Sequence, residues 1–125
     1  MASKLSADQQ RRVDEILQFQ RTVDHVAKLV AELEGNRAAK ASYLDNLCET
    51  IARELSQMRQ RALTANIGSI GDVAGAMSVM AGRGGGIFMK IRGLNDGLNS
   101  LRMQLEVTLK QAMTPDPKQT PDQSH

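Results

Sequence analysis

The sequence predicts an all-α protein: a long antiparallel helical hairpin, a glycine-rich joint and a further long helix, packed as a three- or four-helix bundle with coiled-coil packing. Three observations carry that expectation. Ala, Leu, Met, Gln, Glu, Arg and Lys dominate the 125 residues, and these are the better helix formers. Apolar residues recur at alternating steps of three and four, the spacing of one helix face. Runs of β-branched and aromatic residues alternating at period two are absent, so no strand is expected. With one Tyr, two Phe and no Trp, few large side chains are on hand to fill a core.

Residues 1–7 read as a flexible lead-in to a helical domain over 8–113. Ser6 or Asp8 is placed to cap the first helix, and Gln9 stands three residues after Ser6, the capping-box spacing. The first helix is expected over 8–34. Its seam is Ile16, Phe19, Val23, Val26, Val30 and Leu33, an a/d pattern without a polar interruption. Leu17, Ala27 and Leu29 widen the stripe, which suits a bundle. Gly35 is expected to end the helix as a left-handed residue, with Asn36 capping the next.

The second helix is expected over 37–65, with Ala41, Leu44, Cys48, Ile51, Leu55, Met58, Ala62 and Ala65 on its seam. Carrying the first register past Gly35 would turn Arg37 and Lys40 inward, so the change of phase favours a turn over one continuous rod. Cys48, at a seam position, reads as a small buried apolar residue.

Asn66 to Ser69 breaks the pattern. Ser69, with Asp72 three residues later, resembles a helix start, and a short helix is expected over 69–81. Three small-xxx-small pairs follow at intervals of eleven: Gly71/Gly75, Gly82/Gly86 and Gly93/Gly97. On a continuous helix they share one arc, with Ile70, Val73, Met77, Met80, Ile87, Phe88 and Ile91 opposite. That continuity of phase favours one helix through the glycines. Propensity favours a break, since each interior glycine costs about 1 kcal/mol and four lie within 82–86. We expect a break at 82–86, with the glycines either setting close helix approach or serving as a hinge. A last helix is expected over 87–112, its stripe formed by Ile91, Leu94, Leu98, Leu101, Leu105 and Leu109. Residues 114–125, polar and holding all three prolines, read as a disordered tail.

Charge excludes little by itself. The chain carries a net +2, divided as −1 over residues 1–52, +4 over 53–113 and −1 beyond. This is too small to imply a nucleic-acid partner. Gly82-Arg83-Gly84-Gly85-Gly86 lacks the Lys-Ser/Thr of a phosphate-binding loop and follows no strand. His25 and His125 are the only histidines, and neither Glu-x-x-His nor His-x-x-x-His spacing occurs. No catalytic, cofactor-binding or metal site is therefore expected, nor a small-molecule substrate. The single cysteine forms no intramolecular disulfide and suits a reduced compartment, so a cytoplasmic setting is expected. No apolar run approaches the roughly 20 residues of a membrane span.

The resulting expectation is a non-enzymatic helical interaction protein. It would form a homo-oligomer, or serve as subunit or adaptor in a complex with another helical protein. The three apolar seams would carry association, because so few aromatics suggest that burial is completed between chains. The alternative is a peripheral membrane protein using residues 70–92, with Arg83, Lys90 and Arg92 facing anionic lipid or an acidic partner.

Overall fold

A computed structural model describes residues 5–114; the lead-in at 1–4 and the tail at 115–125 lie outside the described residues. Four helices follow one another: α1 (Ala7–Gly35), α2 (Ala41–Thr64), α3 (Gly68–Gly82) and α4 (Ile87–Met113). No strand occurs among the described residues.

Side-chain contacts fix the directions. Arg12, near the start of α1, donates to the carbonyl of Ala65 at the end of α2, while Tyr43 Oη at the start of α2 donates to Glu32 near the end of α1. Ser78 of α3 donates to Ala52 O of α2 at 2.8 Å, and position 71 lies against Ala62. Met80 meets Gly93 and Met77 meets Gly97. Arg102 of α4 pairs with Asp24 of α1 at 3.4 Å, and Gln9 Nε2 donates to Thr114 O at 3.1 Å. Every neighbouring pair is thus antiparallel. Each helix packs on its neighbours in sequence, and α4 closes back onto α1. This is an up-down-up-down four-helix bundle with short connections. Helix α3, at about 22 Å, is half as long as α1 at about 43 Å.

The core is apolar throughout. Ile16, Phe19, Val23, Val26, Val30 and Leu33 of α1 meet Leu47, Cys48, Ile51, Leu55, Met58 and Ala62 of α2 in one cluster. Ile70, Ala74, Met77 and Ala81 of α3 join it, as do Ile91, Leu94, Leu98, Leu101 and Leu105 of α4. No polar or charged residue is buried among the described residues. The seams read from the sequence therefore close against each other within one chain. Leu44, also on the second seam, is only half-buried, and Ala41 is exposed because the helix has barely begun there. Leu47 and Val13 are buried outside the expected seams.

The ends of the helices show where local signals held. Helix α1 starts with a full capping box: Ser6 Oγ accepts from the Gln9 amide at 3.1 Å, and Gln9 Oε1 accepts from the Ser6 amide at 2.9 Å. Gly35 stays inside the helix instead of taking the left-handed role. Asn36 forms the C-cap at φ −123°, and its side chain donates back to Glu32 O at 2.7 Å. Asn36 does not cap α2. That helix begins at Ala41 rather than 37, with Lys40 before it and no side-chain cap. Residues 36–40 are spent reversing the chain, and Arg-Ala-Ala-Lys, all helix formers, give no local sign of it.

The left-handed cap appears one helix later. Asn66 stands at φ +60°, its amide donates to Leu63 O at 3.3 Å, and Ile67 N donates to Ala62 O at 2.9 Å. This double bond pattern is the Schellman closure, and Asn is the non-glycine residue that best tolerates it. Ile67, buried just past the cap, supplies the apolar contact that accompanies it. Helix α3 then starts at Gly68, one residue before Ser69, and has no side-chain cap. Ser69 is an exposed first-turn residue.

The break expected at 82–86 is present. Arg83–Gly86 leave the helix, and Gly85 takes φ +133°, which only glycine adopts without strain. The apolar phase that runs across the gap reflects two helices facing the same core.

Candidate functional site

The glycine pairs do not form one stripe. Gly71 and Gly75 face α2: a β-carbon at 71 would stand 3.3 Å from Ala62 Cβ, and one at 75 would stand 2.8 Å from Arg59 Cδ. Gly93 and Gly97 face α3, where the thioethers of Met80 and Met77 lie across them. Gly82 has Ala52 Cβ at 3.9 Å from a built β-carbon, an ordinary contact, and Gly86 has nothing within 4 Å. Close packing thus belongs to Gly71, Gly75, Gly93 and Gly97. The middle pair borders the turn. The buried side of α3 is Ile70, Gly71, Ala74, Met77 and Ala81, with Val73 and Met80 half-buried. It is rotated toward the glycines from the face the sequence indicates, because α2 packs against the glycine side.

What the turn exposes is more informative. Phe88 is 66% exposed and Met89 71%, although Phe88 was expected on the buried face. Gly86 precedes α4 at φ −66°; Ile87 packs against the core, while Phe88 and Met89 face away from it. Arg37, from the α1–α2 connection, lies over the Phe88 ring with its guanidinium carbon 4.9 Å from the centroid, a cation–π contact. Arg83, Met80, Met89 and Lys90 border a shallow hollow of about 260 Å³ whose floor includes Gly84–Gly86. Arg92 is exposed one turn further along α4. The first turn of α4 has neither an acidic residue nor a side-chain cap, so its free amides add partial positive charge.

Of Arg83, Lys90 and Arg92, read from the sequence as a contact set, Arg83 and Lys90 share this hollow, and Arg92 lies further along α4 outside it. Arg37 was missed, since it arrives from a loop some fifty residues away and nothing near it marks that destination. The expected association seams, by contrast, lie in the core.

A second concavity, about 310 Å³, opens between α1 and α2 over Phe19, edged by Glu15, Gln18, Gln60, Arg61 and Thr64. Cys48 is buried, and burial pushes its thiol up; Lys90 pulls the other way and Asp45 reinforces the rise. Among the described residues no three His, Cys, Asp or Glu side chains form a group able to hold a metal ion. No helix among them is long and apolar enough to cross a membrane.

No family model, curated protein or solved structure matches this chain. The bundle's own chemistry therefore carries the functional argument.

Proposed function

We propose that the chain is a non-enzymatic, cytoplasmic interaction protein: a four-helix module that self-associates or serves as subunit or adaptor of a larger assembly, using the α3–α4 turn and the start of α4 as its contact surface. One observation carries the reading. Phe88 and Met89 are left largely in water beside Arg37, Arg83 and Lys90, while the seam residues are satisfied inside the chain. Apolar side chains ringed by cations are what a contact surface needs: burial supplies affinity and charge supplies orientation.

Sedimentation velocity over a range of concentrations tests it, with the Phe88→Ser/Met89→Ser variant beside the wild type. The expected result is concentration-dependent association that the double variant weakens. Association of equal strength in the variant would place the contact elsewhere on the bundle. A strictly monomeric wild type would remove self-association and leave a different chain as the partner.

A further inference from the structure

We infer that this end of the bundle also docks on an anionic lipid bilayer. The inference rests on the reading of the α3–α4 turn as a contact surface and names what it contacts.

Charge complementarity is the first argument. The end of the bundle carries Arg37, Lys40, Arg83, Lys90 and Arg92 against Glu32, Glu34 and Asp45. Glu32 already accepts the Tyr43 hydroxyl. Arg37 reaches the Phe88 ring from the α1–α2 connection at 4.9 Å, and Arg83 and Lys90 border the hollow beside Met89 at the α3–α4 turn. Bare amides at the start of α4 add to the same sign. Such a group of cations attracts a surface dense in phosphate and carboxylate, with little demand on where each group sits.

Shape is the second argument. Phe88 and Met89, on the first turn of α4, are both largely exposed. A bilayer takes up such an exposed pair without a shaped pocket, because acyl chains flow around whatever is inserted. Phenylalanine and methionine enter the headgroup boundary readily, and the long arginine and lysine side chains keep their charges at headgroup level while the stems follow the apolar pair inward. No helix among the described residues is long and apolar enough to cross a membrane, so the contact is docking on a surface.

Flotation of the full chain with phosphatidylcholine vesicles, with and without phosphatidylserine, tests the inference. The chain is expected to float with the anionic vesicles about tenfold more strongly than with neutral ones, and to lose most of that binding at high salt. Phe88→Ser/Met89→Ser and Arg83→Glu/Lys90→Glu should each abolish it. The chain contains no Trp, so Phe88→Trp supplies a reporter at an exposed position and keeps an aromatic ring under Arg37. Its emission should shift to the blue on anionic vesicles, while Val107→Trp, further along α4, should not shift. No flotation overturns the lipid assignment, and the sedimentation experiment, which uses no lipid, then decides the contact reading by itself. Equal binding to neutral vesicles, or equal shifts at 88 and 107, also overturns it.

Discussion

Met77 of α3 lies across Gly97 of α4 so closely that a β-carbon there would stand 2.5 Å from its Sδ and 2.6 Å from its Cγ. Met80 makes the same contact with Gly93 one turn away. Two methionines of the short helix thus occupy the space two glycines leave on the long one. The glycines act as holes for specific side chains, which is how an aromatic-poor chain fills its core.

The four close-packed glycines divide by what they face. Met77 is buried and held on all sides, so Gly97→Ala is expected to destabilise by about 1 kcal/mol, the overpacking strain exceeding the helix-propensity gain. At Gly75 the neighbour is Arg59, a flexible and exposed side chain. It can swing away, so Gly75→Ala should stabilise by about 0.5 kcal/mol. Urea midpoints of the two variants, measured at unchanged slope, should move in opposite directions.

The caps give a second contrast. Ser6 closes a reciprocal pair with Gln9, and Gln9 also reaches Thr114 at the end of α4. Ser6→Ala should therefore lower stability by about 1 kcal/mol. Ser69→Ala, at the serine the sequence marks as a helix start, should change it by no more than a few tenths, because no backbone amide depends on that hydroxyl. Thermal melts of both variants check the difference.

The contrast shows what was legible. Periodicity located α1, α2 and the stripe of α4, but ran α3 and α4 together; the seam residues are nearly all in the core, because burial on a helix repeats over many turns and survives local error. The break at 82–86 followed from the energy of clustered glycines. Caps were less legible, since Ser6 and Ser69 carry similar local signals and only tertiary fit selects between them. The seams gave burial but not the molecule that supplies it: Leu105 looks the same from sequence whether Val23 of its own chain, beside it here, or of another covers it. The docking end was half visible. Arg83, Lys90 and Arg92 are adjacent in sequence, but Arg37 joins them only through the fold, and Phe88 fits the apolar register while standing outside it.

Cys48 offers a test of burial by chemistry. Desolvation holds its thiol above the ordinary value of 9.0, with Lys90 opposing and Asp45 adding. The folded chain thus keeps the proton where the unfolded chain has lost it. The stability this contributes is whole below the unfolded value and disappears as pH climbs through the higher folded one. Alkylation by iodoacetamide at about pH 8 should run at least about tenfold slower than in the urea-unfolded chain. Equal rates would mean that the start of α2 opens freely.

The central structural claim is that the seams Ile16–Leu33, Leu44–Met58 and Ile91–Leu105 close within a single chain. Urea unfolding, followed by helical circular dichroism at two protein concentrations about a hundredfold apart, tests it most directly. In the Phe88→Ser/Met89→Ser variant, where the surface contact is weakened, a core completed within one chain predicts the same midpoint at both concentrations. A midpoint that climbs strongly with concentration would contradict the account, because the seams would then be finding their partners in another copy.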